Sequence, residues 1–207
     1  MSDVVAFEDA RWRGGPQERV WRHDAALRLI QRWPAVDVGG GDGLFATIAG
    51  PERVTVADVS PVAVESCRQR GVTARLVDVG SDLPFDDDEF ATACALDVLE
   101  HLHDPLPLLL ELRRVAPEVV LTVPNFSYVK ARLVMLRGGV PFQNKPARGH
   151  SYWFNPSVLD GLVAAAGLRV ASTELQPPMR LGAIGRVLAR RRPSLFAAEL
   201  AVRLERA

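Results

Sequence analysis

The stretch Val36–Gly43 reads Val-Asp-Val-Gly-Gly-Gly-Asp-Gly and gives the strongest indication of the fold. Its first residues, together with Ala35, form a short apolar run that predicts a buried strand, and Leu44–Ala49 after it predicts a short helix. The glycines between them let the backbone turn tightly and approach a ligand, which the free N–H groups of the helix can meet. This order of strand, glycine loop and helix predicts a ligand-binding turn.

Helix and strand patterns alternate along the rest of the chain. This alternation predicts a mostly parallel sheet with helices on both faces. The predicted strands are 35–38, 53–57, 72–77, 90–96, 118–123, 168–175 and 195–204. The predicted helices are 17–32, 44–49, 61–70, 105–114, 127–137, 156–166 and 180–192. We expect a loose arm before the first helix and a mobile loop without a strand over Gly138–Trp153.

Composition and charge limit the classes to which this protein can belong. The chain has 207 residues, of which 48% are hydrophobic, which suits one substantial core and a single domain. Lysines plus arginines equal aspartates plus glutamates at 25 each, so we expect neither nucleic-acid nor membrane binding. Cys67 and Cys94 have no partners at metal-ligand spacing, so we expect no disulfide and no metal site. Together these features predict a cytoplasmic protein.

Three features constrain the ligand of the glycine loop. The loop follows G-x-G-x-G, because Leu44 stands where a dinucleotide-binding loop would have its last glycine. A pyrophosphate is therefore not the obvious ligand. Asp58 ends the next predicted strand, where a carboxylate can accept hydrogen bonds from both hydroxyls of a ribose. Asp78 ends the third strand at the same edge and can receive the amine of an adenine.

These motifs together resemble the class I S-adenosylmethionine-dependent methyltransferases. The residues that carry the resemblance are Val36–Gly43, Asp58, Asp78, Leu83-Pro84-Phe85 and Asp97-Val98-Leu99-Glu100-His101. The resemblance spans roughly 36–175 and implies S-adenosylmethionine as the cofactor. It also implies an α/β fold with a doubly wound, Rossmann-like sheet of about seven strands, mostly parallel with an antiparallel last strand.

The resemblance implies a cofactor-binding set, namely Asp37, Gly39, Gly41, Gly43, Asp58, Val59, Asp78, Val79 and Asp97. In this set the glycines hold the methionine and ribose portion, Asp58 the ribose hydroxyls and Asp78 the adenine amine. Asp97 flanks the methionine end, and Asp37 positions the loop from beneath. Many relatives have cysteine at the position of Gly40 and aspartate at that of Ala91, so contacts there are expected to be looser.

A second group of residues is similar to a narrower, MetW-like branch that includes methyltransferases of sugar and envelope gene clusters. These residues are Val123-Pro124-Asn125-Phe126, Arg132, Gly138-Gly139, Pro141-Phe142 and Gly149-His150.

We therefore expect one domain over 1–207. Its parts are an N-terminal arm and helix (1–34), a cofactor-binding core (35–126), a helix and lid loop over the acceptor site (127–154), and C-terminal helices and edge strands (155–207).

Candidate catalytic residues follow the fourth strand and lie on the expected lid. His101 and His103 come directly after the strand, and His150 precedes Tyr152-Trp153-Phe154. A histidine can remove a proton from the methyl acceptor. We favour His150 slightly over His101, for which a packing role has about even weight, and expect His103 to be exposed.

Basic residues on the sixth helix and the lid can give the acceptor pocket a positive rim, although a solvated helix face explains them equally well. The set is Lys130, Arg132, Lys145 and Arg148, with Tyr128 beside them. Such a rim would favour an acidic acceptor. Trp12, Trp21 and Trp33 are expected to pack, without a chemical role.

The sequence is compatible with three functions. The leading one is a methyltransferase that acts on oxygen or nitrogen of a small-molecule acceptor, with a homodimer as one expected assembly. A non-catalytic MetW-like partner subunit of an acyltransferase in methionine biosynthesis is the alternative. A nicotinamide-dependent oxidoreductase shares the fold but conflicts with Leu44 in the glycine loop.

Overall fold

A computed structural model of the chain describes residues 2–15, 17–80, 82–145 and 148–207. The strands are β1 (Ala35–Val38), β2 (Val54–Asp58), β3 (Ala74–Leu76), β4 (Thr92–Leu96), β5 (Glu118–Pro124), β6 (Leu168–Leu175) and β7 (Glu199–Arg206). They form a seven-stranded sheet in the order β3-β2-β1-β4-β5-β7-β6. The pairs among β1 to β5 are parallel, and β7 runs antiparallel to both β5 and β6. The predicted sheet and its antiparallel last strand are confirmed.

Helices flank this sheet in the predicted alternation. They are α1 (Ser2–Arg13), α2 (Trp21–Leu29), α3 (Leu44–Ala49), α4 (Pro61–Gln69), α5 (Leu106–Val115), α6 (Val129–Leu136), α7 (Pro156–Ala165), α8 (Gly182–Arg191) and α9 (Pro193–Phe196). Side-chain caps begin two of them, because Ser60 accepts from the N–H of Ala63 and Asn155 from that of Val158. Within the described part of the chain, no helix has both the length and the apolar character to cross a membrane.

The core lies on both faces of the sheet, as expected for parallel strands. Cys94 of β4, Val120 of β5 and Ala201 of β7 pack in one cluster with residues of α2. Their neighbours along the strands, such as Ala93 and Val119, point the other way and pack with α5 and α7. Successive residues of a strand face opposite sides, so the apolar strands predicted from sequence bury both faces.

The N-terminal region differs from the prediction. Residues 2–13 form α1 where we expected a loose arm, and the next helix covers Trp21–Leu29 rather than 17–32. α1 has no wide apolar stripe, so its pattern gave no helix signal. It is held instead by local ion pairs, including Arg11 with Glu8 at 3.7 Å, and by a hydrogen bond from the Ser60 hydroxyl to Asp9.

The last strand begins later than predicted, at Glu199 rather than at residue 195. The cause is a tertiary contact that fixes α9 just before it. The buried Asn125 donates from Nδ2 to the carbonyl oxygens of Pro193, Ser194 and Ala197 over 2.7–3.1 Å. Its Oδ1 accepts the N–H of Ser127 at 2.9 Å. The Pro-Asn pair after β5 thus joins the C-terminal helices to the sheet.

Candidate active site

A cavity of about 570 Å³ opens at the carboxyl ends of β1, β2 and β4. In doubly wound sheets this edge is the usual place for a ligand. The predicted site residues that line the cavity are Asp37, Gly39, Asp58, Val59, Asp78, Val79, Asp97 and His101. Of the other predicted site residues, Gly41, Gly43 and His150 stand outside the lining set of the described residues.

Gly41 and Gly43 serve the loop rather than the cavity wall. Both have positive φ, +58° and +75°, which L side chains rarely adopt. A Cβ on Gly41 would lie 2.1 Å from the indole of Trp12, and one on Gly43 would lie 2.8 Å from Sγ of Cys67. These glycines allow α1 and α4 to pack closely against the loop. Contact of these two glycines with the cofactor, which the resemblance implied, stays a prediction.

Asp58 joins the end of β2 to the glycine loop. Its Oδ2 accepts the N–H of Gly41 at 2.8 Å, and its Oδ1 accepts that of Ser60 at 2.9 Å. The side chain is almost wholly buried, and desolvation raises its pKa even though these N–H groups oppose the shift. Each carboxylate oxygen keeps a second lone pair, so Asp58 can still accept hydrogen bonds from a ligand in the cavity.

Asp37 lies against the glycine loop, where a Cβ on Gly40 would stand 2.6 Å from its Oδ2, and it also lines the cavity. It is 1% exposed, and burial, followed by the charge of Asp58, raises its pKa to about 7. Among the described residues its Oδ1 has no hydrogen-bond partner. A buried carboxyl oxygen of this kind is costly unless a ligand or a proton satisfies it, so the arrangement suits a cationic group in the cavity.

Asp97 marks the next strand end and is held in place on two sides. The Thr122 hydroxyl donates to its Oδ1 at 2.7 Å, and Arg22 donates from its guanidinium to Oδ2 at 3.3 Å. The backbone of Asp97 has a φ of +57°, an uncommon value for a residue other than glycine. This turn directs the chain from β4 into the 3₁₀ helix Leu99–His101, which carries the candidate base.

His101 and His150 meet, although 48 residues separate them. Their rings stand edge to face with centroids 4.9 Å apart, and Nε2 of His150 lies 4.0 Å from Oε1 of Glu100. Nδ1 of His101 lies 3.3 Å from the carbonyl oxygen of Gly149, to which it can only donate. Burial lowers the pKa of each histidine to about 4 and raises that of Glu100 well above its usual range. Both imidazoles are therefore neutral near neutral pH, and Glu100 holds its proton more tightly than an exposed glutamate does.

The two histidines occupy different places in this arrangement. His101 lines the cavity, whereas His150 lies behind it with a side chain that is 4% exposed. Backbone hydrogen bonds from Ser151 and Tyr152 to the carbonyl oxygen of Glu100 fasten this end of the predicted lid. The geometry thus favours His101 as the histidine that meets a ligand. His103, expected to be exposed, is exposed at the mouth of the cavity.

Sequence reasoning missed the part of the wall that α1, α2 and the segment between them supply. These residues are Glu8, Arg11, Trp12, Gln17, Arg22 and His23. Trp12 was assigned a packing role only, yet its ring lies on the glycine loop and lines the cavity. The sequence of α1 lacks an apolar stripe, so no pattern in it indicated that this segment would cover the cavity.

The expected basic rim does not form the cavity wall in the described structure. Tyr128 is buried, and Arg132 donates to the backbone carbonyl of Ser127 at 2.6 Å. Lys130 and Lys145 are exposed, and the Arg148 guanidinium lies over the ring of Phe142. These residues are thus either exposed to solvent or engaged in contacts that support the fold. The wall instead carries the guanidinium groups of Arg11 and Arg22.

The sheet order and the position of the cavity define the class I methyltransferase fold. The profile of the methyltransferase domain family matches residues 19–173. That match covers most of the chain, and this chain belongs to the methyltransferase domain family. No curated protein matches the sequence significantly.

Solved structures with the same fold cover nearly the whole chain. A Thermotoga maritima SAM-dependent methyltransferase, a possible histamine N-methyltransferase, is 17% identical, with 99% of this chain and 90% of that chain covered and a TM-score of 0.68. The Synechocystis magnesium protoporphyrin IX methyltransferase with bound SAH is 15% identical, with coverages of 100% and 99% and a TM-score of 0.67. The [4+2]-cyclase SpnF is 20% identical, with coverages of 89% and 79% and a TM-score of 0.63. Since a cyclase shares the fold, the activity has to be argued from the site.

Proposed function

We propose that this protein is an S-adenosylmethionine-dependent methyltransferase that methylates oxygen or nitrogen of a small-molecule acceptor. The single observation that carries the proposal is the buried Asp58, which faces the cavity from the end of β2 while it holds the glycine loop through Gly41. A carboxylate at this place suits the two hydroxyls of an adenosine ribose. The family match supports the same conclusion.

The residues present fit S-adenosylmethionine. Asp58 and Asp78 line the cavity with Val59 and Val79 after them, which gives polar contacts for a nucleoside beside apolar ones for its base. The buried Oδ1 of Asp37 has no hydrogen-bond partner among the described residues and suits the ammonium group of a methionine portion. Asp97, with Arg22 beside it, continues this polar wall toward His101.

When bound, S-adenosylmethionine supplies a methyl group on a sulfonium, and transfer of that group to an acceptor lone pair leaves the C–S electron pair on sulfur. The protein aligns the two reactants and keeps bulk water away from them. His101 presents a neutral imidazole from the wall near Gly149 and Ser151, and a neutral imidazole can take up the proton that the acceptor loses. Asp97 is held by Thr122 and keeps the backbone turn before His101 in place.

His101 therefore replaces His150 as the favoured catalytic residue. His150 supports it, because the two rings stand edge to face and Gly149 fixes the orientation of His101. The open cavity and the family match favour an enzyme over a non-catalytic partner subunit of an acyltransferase and over an oxidoreductase. The MetW-like branch, a homodimer, an acidic acceptor and a cytoplasmic location stay predictions from the sequence.

The test is a transfer assay with deuterated-methyl S-adenosylmethionine and a panel of small acceptors with hydroxyl, amine and carboxylate groups. Products that gain the labelled methyl group in mass spectrometry identify the acceptor atom. We expect at least one labelled product from the wild type and far less from Asp58→Ala at limiting cofactor. A chain that binds the cofactor and labels none of the acceptor classes would favour the non-catalytic alternative.

A further inference from the structure

We propose that Glu100, His101 and His150 form a binding site for one divalent transition-metal ion at the edge of the cavity. One ligand atom from each of the three residues lies within 4.8 Å of the others. Two imidazoles and one carboxylate are a common protein ligand set for such ions, with coordination positions left open for a substrate. The sequence predicted no metal site, because His150 is far from the other two residues along the chain.

The spacing fits ligands around an ion better than a hydrogen-bonded network. Oε1 of Glu100 and Nε2 of His150 are 4.0 Å apart, too far for a hydrogen bond. Ligand atoms about 2.1 Å from one ion lie roughly 3 to 4 Å from each other, so a small shift would close the set around it. Within the part of the chain described, Oε2 of Glu100 is buried without a hydrogen-bond partner. Glu100 as a residue is 2% exposed. A buried carboxyl oxygen without a hydrogen-bond partner lowers the stability of the fold unless a ligand satisfies it.

The backbone around the cluster is already ordered. The N–H groups of Ser151 and Tyr152 donate to the carbonyl oxygen of Glu100 at 2.7 and 3.0 Å, which fixes His150 next to it. The Gly149 carbonyl accepts from Nδ1 of His101, and this leaves the lone pair on Nε2. Metal-bound histidines commonly donate their other N–H to a carbonyl in this way.

Charged groups of both signs surround the cluster. The acidic side chains of Asp97 and Glu199 both act on Glu100, and Arg22 offsets them in part. Arg148 and Arg11 contribute positive charge on the side of the histidines. Glu199 is itself half-buried, and desolvation followed by the charge of Asp97 raises its pKa. A divalent ion would be attracted by Asp97 and Glu199 and repelled by the arginines, so its binding depends on the three direct ligands.

His101 lines the cavity, so an ion held by the cluster is accessible from the acceptor side. A hydroxyl group of the acceptor that binds the ion would release its proton to water at the cavity opening more readily, and His101 would then act as a ligand rather than as the base. This role rests on the proposed methyl transfer, whereas the binding of the ion does not.

The test uses the full chain after treatment with a chelator and removal of the chelator. Zn²⁺ is titrated by calorimetry, and Co²⁺ by its visible absorption, which reports the ligand set. We expect one equivalent of each ion to bind. His150→Ala and Glu100→Gln should weaken binding roughly 10- to 100-fold or more, whereas His103→Ala, which changes an exposed histidine nearby, should bind as the wild type does.

The same samples are titrated with S-adenosylmethionine, so that folding and cofactor binding are measured independently of the metal. Absence of equimolar Zn²⁺ and Co²⁺ binding by the wild type would overturn the metal site, and so would wild-type affinity in His150→Ala. Metal binding without cofactor binding would leave the site intact and reject the methyltransferase proposal. Cofactor binding without metal binding would reject the metal site and leave the methyltransferase proposal intact.

Discussion

The N–H of Gly41 donates a hydrogen bond to Oδ2 of Asp58 at 2.8 Å. This contact joins the loop after β1 to the end of β2, so the two motifs that predicted an adenosine site form one structural unit. A second contact, from the N–H of Ser60 to Oδ1, places the same carboxylate at the start of α4. The cofactor proposal depends on this carboxylate, which both shapes the loop and faces the cavity.

Replacement of Asp58 tests that dependence. We expect Asp58→Ala to weaken S-adenosylmethionine binding by ~1–3 kcal/mol, because the loop and the ribose hydroxyls both lose an acceptor. The dissociation constant is measured by calorimetry. Asp160→Ala, which removes an exposed carboxylate on α7, is the control and should leave it unchanged. Equal dissociation constants for Asp58→Ala and the wild type would mean that the adenosine is bound elsewhere.

A methyl group at Gly41 tests the packing of α1 on the loop. Gly41→Ala brings a Cβ to 2.1 Å from Trp12, whereas Gly71→Ala, also at positive φ, has no atom within 4 Å. Both should lose ~1–2 kcal/mol of stability through the backbone. In addition, Gly41→Ala should displace Trp12 and weaken S-adenosylmethionine binding. Similar cofactor affinity in the two variants would show that α1 does not shape the site.

Stability should depend on pH through Asp37. Burial raises its pKa from 3.8 to about 7, so the folded protein binds this proton more tightly than the unfolded chain does. The stabilising contribution of Asp37 to the free energy of unfolding is complete below about pH 4 and is lost as pH rises toward 7. Relative to Asp37→Asn, the unfolding free energy of the wild type should fall by on the order of 1 kcal/mol per pH unit in that range. Urea denaturation at several pH values measures it, and parallel curves would contradict the assignment.

Asn125 is expected to hold the C-terminal helices on the sheet. It is fully buried and donates to three backbone carbonyls around α9. Asn125→Ala should lower the unfolding free energy by ~1–3 kcal/mol, and Asn125→Asp should lower it further at neutral pH because a carboxylate cannot donate. Chemical denaturation measures both. A loss of less than about 0.5 kcal/mol in Asn125→Ala would place the anchor of α9 elsewhere.

Local signals predicted much of the fold. The glycine loop after β1 and the caps at Ser60 and Asn155 depend on neighbouring residues, so their elements stand where the sequence placed them. Boundaries set by distant contacts were wrong. The start of β7 depends on Asn125, and α1 depends on its contacts with α4 and the glycine loop.

The same distinction holds for the site. Asp58, Asp78 and Asp97 each end or follow a strand, and parallel strands bring such residues to one edge, so their convergence was predictable. The pairing of His150 with Glu100 was not. It depends on backbone hydrogen bonds from Ser151 and Tyr152 to a residue of another segment, which no spacing in the sequence reveals.

The central claim is tested most directly by calorimetric titration of the purified chain with S-adenosylmethionine, S-adenosylhomocysteine and NAD. We expect micromolar binding of both adenosyl sulfur compounds at one site, with no measurable binding of NAD. Binding of NAD would contradict it, and so would the absence of binding by either sulfur compound.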